Sequence, residues 1–232
     1  MCALPEFSLG GRIRLDSFGR KGISLAPVLV KSVSDSQSEI LQWIQDLHCP
    51  DGFECDVTYG HGKFYTDIAL PRLRFDIEPQ VCGVVRADSR LLPLPAGSVG
   101  SVVFDPPFLT YVKNGRAHKN GAVAMASRFG GYYTYAELED HYHESISEAS
   151  RIIRDGGKLI VKCQDIVHNH RLHATHQRVL EMARMEGFRL LDLFILLGKN
   201  RMPGPQSGQQ RHARVWHSYF LVFEKVPAGR KV

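Results

Sequence analysis

Strand-length apolar runs alternate with helix-length amphipathic segments along most of this chain, and that alternation narrows the fold more than any other feature. Residues 36–48 place Ile40, Leu41, Ile44 and Leu47 at helical spacing. Short strands are expected next over 53–57, 73–77, 81–86 and 99–104. A helix over 138–154, closed by Gly156 and Gly157, leads into a strand over 158–163, and a helix over 175–186 ends at Gly187. Two last strands, 188–197 and 218–225, have a polar Gly/Pro-rich loop between them and no helix, so they should pair antiparallel at one edge. The pattern predicts an α/β, Rossmann-like fold: a mostly parallel seven-stranded sheet with an antiparallel edge hairpin and helices on both faces. Residues 1–35, rich in Gly, Ser and Arg and weak in periodicity, read as an irregular lead-in, and 36–232 as a single domain.

A chain of 232 residues, 44% hydrophobic and 23% charged, is long enough to bury a substantial core. No apolar run approaches the roughly 18 residues a membrane span needs. Residues 1–11 lack a basic region followed by an apolar stretch, so no secretory signal is expected. Cys2, Cys49, Cys55, Cys82 and Cys163 form no CxxC pair. An odd count at irregular spacing fits reduced thiols, and with them a cytoplasmic protein. Charge is distributed unevenly. Residues 1–150 carry 14 Lys and Arg against 18 Asp and Glu, whereas 151–232 carry 15 against 6. A basic C-terminal third fits a polyanionic partner, and equally a solubilising surface.

In an open parallel sheet, ligands sit at the carboxyl ends of the strands. The first strand is followed by Asp56-Val57-Thr58-Tyr59-Gly60-His61-Gly62-Lys63, where two glycines let the backbone approach a ligand closely. The second ends in Asp76-Ile77-Glu78-Pro79, a carboxylate that can accept both hydroxyls of a ribose. The third ends in Arg86-Ala87-Asp88-Ser89. Each acid alone reads as a cap or turn former. One per successive strand end is a pattern.

The most specific signal is Asp105-Pro106-Pro107-Phe108, which follows the apolar strand 99–104. Proline fixes φ and restricts the preceding residue, so the turn is rigid. The chemistry is legible. An amine on an aromatic base is a poor nucleophile, because its lone pair is delocalised into the ring. The Asp105 carboxylate and the Pro106 carbonyl can each accept one amino N–H, which favours a pyramidal nitrogen. Phe108 offers a stacking surface, worth roughly 1–3 kcal/mol per base in related settings.

On these residues the chain resembles the class I S-adenosylmethionine-dependent methyltransferases that methylate amino groups of nucleic-acid bases, a group that includes adenine-N6 and cytosine-N4 DNA methylases. The likeness runs from about residue 56 to 225. The resemblance implies the methyltransferase version of the fold, S-adenosylmethionine as cofactor with S-adenosylhomocysteine as product, and no metal. It places Asp56, Thr58, Gly60 and Gly62 in the cofactor loop, Asp76 on the ribose, Asp88 and Ser89 at the cofactor adenine, and Asp105, Pro106, Pro107 and Phe108 in the (D/N/S)PP(Y/F/W) catalytic motif. Val57-Thr58 departs from the commoner Pro-Phe or Pro-Cys. A second departure is size, since restriction-type methylases usually carry an inserted recognition domain.

Recognition is then expected from loops: 113–131, with Lys113, Arg116, Lys119 and Arg128, and 199–214, with Lys199, Arg201, Arg211 and Arg214. Basic side chains there can hold phosphates, or simply face water. His168, His170, His173 and His176 crowd one segment, but their spacing fits no usual zinc site. Adenine N6 in DNA is the expected target, with an RNA methyltransferase (adenine N6 or guanine N2) as the alternative. A silent nucleic-acid-binding module on the same fold is the rival from another class. DNA is favoured as the partner over RNA, and no membrane is expected.

Overall fold

The computed structural model describes residues 14–15, 21–22, 29–108, 110, 132, 134–198, 211–227 and 229. The chain divides into two compact units, Met1–Val30 and Lys31–Val232. In the first, β1 (Arg14–Leu15) and β2 (Lys21–Gly22) form a short antiparallel ladder.

The second unit is built on a sheet whose strands are β3 (Val33–Ser34), β4 (Cys55–Asp56), β5 (Leu73–Asp76), β6 (Val85–Arg86), β7 (Val99–Phe104), β8 (Ile153–Cys163), β11 (Phe188–Leu197) and β12 (His217–Lys225). Their order is β3-β11-β12-β8-β7-β4-β5-β6. All neighbours are parallel except those of β12, which runs antiparallel to both β8 and β11. This is the expected Rossmann-like sheet with its hairpin, but among the described residues it has eight strands rather than seven. The eighth, β3, is a two-residue strand that pairs in parallel with the outer side of β11. Two residues cannot show a period, so the sequence carries no sign of it. From β4 the chain lays β5 and β6 outward on one side, then returns to lay β7 on the other. The crevice above β4 and β7 is therefore a topological switch point, where ligands of such sheets bind.

Among the described residues, three α-helices cover the two faces: α1 (Gln37–His48), α2 (Tyr135–Ile152) and α3 (Thr175–Met185). Alternation along the strands sorts their side chains. Val102, Phe104, Leu159, Val161, Cys163, Leu221 and Phe223 join one core with Leu138, Tyr142 and Ile146 of α2 and Val179 of α3. Val103, Ile160, Phe220 and Val222 are equally buried and point to the other face. There α1 packs, with Trp43 and Phe194 rings 6.4 Å apart. Ser36 caps α1 by accepting from the Glu39 amide. Of its expected apolar stripe, Ile40, Leu41 and Ile44 are fully buried but Leu47 is 50% exposed. Among the described residues, no helix is long and apolar enough to cross a membrane.

Two expected boundaries move. The helix over 138–154 begins at Tyr135, where the Thr134 hydroxyl accepts from the Glu137 amide, and ends at Ile152. The strand β8 starts at the next residue, so Gly156 and Gly157 do not close a helix. They sit in an irregularity between the pairs Val99↔Ile153 and Ser101↔Lys158. A Cβ on Gly157 would lie 2.8 Å from the Gly100 carbonyl oxygen, so the close approach requires glycine. Strands expected over 53–57 and 81–86 shrink to two residues each. The connection from β4 to β5 holds only a 3-10 turn, Lys63–Tyr65, and residues 77–84 and 87–98 form no helix. Pro79, Gly83, Pro93, Pro95 and Gly97 in those segments explain why.

A two-strand ribbon lies apart from the sheet. β9 (Ile166–His168) and β10 (Arg171–His173) are joined by Asn169 and His170, whose φ values are 49° and 58°. Positive φ at both turn residues is the twist a two-residue hairpin needs.

Candidate active site

The turn after β4 is held by a buried acid. Asp56 is 2% exposed, and its two oxygens accept from the Thr58 amide at 2.7 Å and the Tyr65 hydroxyl at 2.6 Å. Burial pushes its pKa up to about 7, against the lowering effect of those two hydrogen bonds. Both oxygens are engaged inside the chain, and they set the shape of the turn. Gly60 follows with φ 54° and open space where a side chain would be. Gly62 has φ 73°, and a Cβ there would fall 2.7 Å from the Tyr59 hydroxyl, so this glycine makes room for that ring.

Asp76, at the end of β5, reaches across to this turn. Its Oδ2 accepts the Gly60 amide at 2.7 Å and its Oδ1 the Glu78 amide at 2.8 Å. Each carboxylate oxygen has a second lone pair, so the group can still accept hydroxyls from a ligand over the turn. Asp88 is placed differently. Arg90 grips it through Nε at 2.9 Å and Nη2 at 2.6 Å, and those hydrogen bonds hold its carboxyl below the usual range. Ser89 is buried, and its hydroxyl meets His141 Nε2 and Ser145 Oγ, both at 2.8 Å. Tyr132 engages the other nitrogen of His141. Burial lowers the His141 pKa to about 4, so the ring is neutral at pH 7.

Asp105 leaves β7 directly beside β4. Its amide donates to Thr58 Oγ1 at 2.8 Å, which ties the Asp-Pro-Pro-Phe turn to the glycine turn. Its Oδ2 lies 3.5 Å from Lys162 Nζ. Burial raises the Asp105 pKa, and the Lys162 ammonium works against that rise. Pro106 is buried, and Pro107 and Phe108 are half-buried. Phe108 forms part of the wall of a cleft of about 310 Å³, with Gln37, Lys162, Gln164, Trp216 and His217 among the other lining residues.

The structure thus brings two hydrogen-bonded sets to the switch point, Asp56–Thr58–Asp105 and Gly60–Asp76, joined along the turn after β4. Asp88 and Ser89 are engaged in pairs of their own. Arg211 and Arg214 are exposed where the chain enters β12. Lys113, Arg116, Lys119, Arg128, Lys199 and Arg201 lie outside the described residues.

Sequence reasoning missed Lys162, Gln37, Gln164, Trp216 and Tyr65. Lys162 left a trace, because it is a lone cation near the carboxyl end of an otherwise apolar run, Leu159-Ile160-Val161. Tyr65 and Gln37 left none, since their roles depend on contacts across the fold. Within the histidine segment, His168 and His173 meet edge to face with centroids 6.2 Å apart, and the others find separate partners. His176 Nδ1 bonds Asp165 Oδ1 at 2.7 Å, and its ring lies over Tyr219 with centroids 4.4 Å apart. His173 stacks on Tyr135 at 3.9 Å. Among the described residues, no group of three or more His, Cys, Asp or Glu is arranged to hold a metal ion.

No protein-family model matches the chain, and no curated protein matches it. Several solved structures are similar. One, from Thermus thermophilus and described as a DNA modification methylase, was solved with S-adenosyl-L-methionine; it is 21% identical, with TM-score 0.41 over 62% of this chain and 56% of that one. The cytosine-N4-specific PvuII DNA methyltransferase is 18% identical, with TM-score 0.43 over 60% of this chain and 48% of its own. The 4+2 cyclase SpnF is 14% identical, with TM-score 0.49 over 82% and 81%. The chain spans about half the length of the Thermus thermophilus protein and of the PvuII enzyme.

Proposed function

We propose that this protein is an S-adenosylmethionine-dependent methyltransferase that acts on an exocyclic amine of a nucleic-acid base, with adenine N6 in DNA as its target. The observation that carries this reading is the position of Asp105-Pro106-Pro107-Phe108: it leaves β7 at the switch point, is tied through Thr58 to the glycine turn, and supplies Phe108 to the wall of the cleft.

The residues at the glycine turn fit the cofactor. Gly60 leaves open space above the turn, and Asp76 keeps acceptor capacity beside it. Asp76 would hold ribose hydroxyls, with the Gly60 backbone close to the rest of the molecule. When bound, the cofactor supplies a methyl group on a sulfonium, already electrophilic. The chain has to supply position and a dry surface. Asp105 and the Pro106 carbonyl accept the two amino N–H groups and direct the nitrogen lone pair out of the base plane. Phe108 stacks on the base, which reaches the site flipped out or single-stranded. Asp105 also stands ready to take the proton that the methylated amine sheds.

The motif alone serves adenine, cytosine or guanine. DPP followed by an aromatic is commoner among the adenine enzymes that the sequence resembles, and the basic C-terminal third suits a nucleic-acid partner. The test is transfer of labelled methyl to DNA and to RNA, followed by identification of the methylated nucleosides. N6-methyladenine in DNA is the expected product. N4-methylcytosine would keep the mechanism and change the base. Methylated RNA with unmodified DNA would change the substrate, and transfer to neither would overturn the reading.

A further inference from the structure

Lys162 is an unusual residue for its place. It sits between Val161 and Cys163, both fully buried, and points to the α1 face of the sheet. Its side chain is 13% exposed. Removing an ammonium from water is costly unless its surroundings compensate. Three aromatic rings do so in part: Phe64, Phe220 and Phe108 have centroids 5.2, 5.5 and 5.9 Å from Nζ. Gln37 Oε1 accepts from it at 2.9 Å. The remaining partner, Asp105 Oδ2 at 3.5 Å, is the only carboxylate paired with it among the described residues.

From the side of Asp105 the dependence is stronger. Lys162 is the only partner of its carboxylate among the described residues. The other titratable groups near it are Asp56 on β4, Tyr65 on the following turn, Tyr142 on α2 and Cys163 on β8. None of these is cationic. Among the described residues, Lys162 is therefore the one charge that opposes the burial of Asp105.

We propose that Lys162 is the positioning residue of this site: fixed by Gln37 and the three rings, its ammonium holds one oxygen of Asp105 and keeps the carboxylate in the charged, hydrogen-bond-accepting form that the base amine requires. The inference rests on the methyltransferase reading for its purpose, but its physical content is separate. A protonated Asp105 would present a donor to an amine that also donates, and the amine would lose its orientation. Burial alone pushes Asp105 towards that protonated form, and Lys162 pulls it back.

The sign of the test follows. Removing the cation lets the Asp105 pKa rise, so the acid limb of kcat/KM for labelled methyl transfer should move to higher pH. In Lys162→Met, an apolar replacement of similar length, the limb should move up by about 1–3 pH units, as expected for loss of an opposite charge at this range. Activity near pH 9 should return to within about tenfold of wild type. Lys162→Arg keeps the charge and should keep the limb within about half a pH unit. A purely structural lysine would cost activity equally at every pH. The same variants should be titrated by NMR with carboxyl-labelled aspartate, with Asp105→Asn identifying the signal. The Asp105 resonance should titrate higher in Lys162→Met than in wild type. If Lys162→Met does not give the wild-type circular dichroism spectrum, Lys162→Gln takes its place. An active wild type whose acid limb and Asp105 titration are unmoved in the uncharged variant overturns the inference and leaves the function standing. A wild type inactive on all nucleic acids overturns the function, and the Asp105 titration alone then decides the role of Lys162.

Discussion

The two sides of the switch point are built on different principles. On one side β4, β5 and β6 have two, four and two residues, and no α-helix connects them. Polar links hold this side: Asp56 to Tyr65 and Thr58, Asp76 to Gly60, and Glu54 to the Gly100 amide and the Ser101 hydroxyl. On the other side β7, β8, β11 and β12 have 6 to 11 residues, and α1, α2 and α3 cover their apolar faces. The difference matters most for the acids. Asp56 and Asp105 end adjacent strands, and burial raises the pKa of both. Yet Asp56 has both oxygens satisfied by protein donors, whereas Asp105 has one oxygen beside a lysine at 3.5 Å. A satisfied buried acid shapes a turn. An under-satisfied one at the switch point, beside a lysine that lines the neighbouring cleft, keeps acceptor capacity for a ligand.

The comparison can be broken first at Asp105. Asp105→Ala should reduce methyl transfer by about 10²–10⁴-fold, the range for loss of a group that positions or exchanges a proton. Cofactor affinity should stay within a few-fold. Labelled-methyl kinetics and calorimetry on one preparation check both, and equal activity would remove Asp105 from the site.

Stability should separate the two sides next. Phe220→Ala, at a fully buried ring on β12, should cost about 3–5 kcal/mol. Val85→Ala on β6, 54% exposed, should cost under about 1 kcal/mol. Urea denaturation measures the pair, and similar losses would mean that β6 is part of the cooperative core.

Asp56 predicts a pH dependence. Its folded pKa of about 7 lies above the 3.8 of the free group, so folding favours its protonated form. Its contribution is full below about pH 4 and is lost as pH rises through 7. Asp56→Asn removes the titration. Between pH 5 and 7 the wild type should therefore lose stability relative to the variant, by up to about 1.4 kcal/mol per pH unit. Parallel stability profiles would show that Asp56 is ionised throughout.

Asp76→Ala should weaken S-adenosylmethionine binding by roughly 1–3 kcal/mol, the scale of removing hydrogen bonds to a charged group. Calorimetry without added metal measures it, and unchanged affinity would place the ribose elsewhere. The smallest effect is expected where the chain enters β12. Neutralising Arg211 and Arg214 together should flatten the salt dependence of DNA binding by about two units of slope, roughly one for each phosphate no longer neutralised. An unchanged slope would put the nucleic-acid face on another surface.

The sequence by itself determined the class of fold and the main chemical marks. Strand and helix periods are local, so β7 over Val99–Phe104 and β11 over Phe188–Leu197 match the expected ranges residue for residue. Carboxylates at strand ends and the Asp-Pro-Pro-Phe turn were legible for the same reason, since chemistry and turn stiffness are written in adjacent residues. What the tertiary structure decided is everything that depends on distant partners. The strand β3 exists only because β11 offers it an edge. Gly156 and Gly157 fall inside β8 because Gly100 approaches there, not because a helix ends. Above all, no local pattern shows which of Asp56 and Asp105 has its oxygens filled by protein donors. Tyr65 fills the coordination of the first, and Lys162, 57 residues along the chain from Asp105, sets the charge of the second. A side chain's hydrogen-bond partners and burial fix its protonation and availability, and those are properties of the folded neighbourhood.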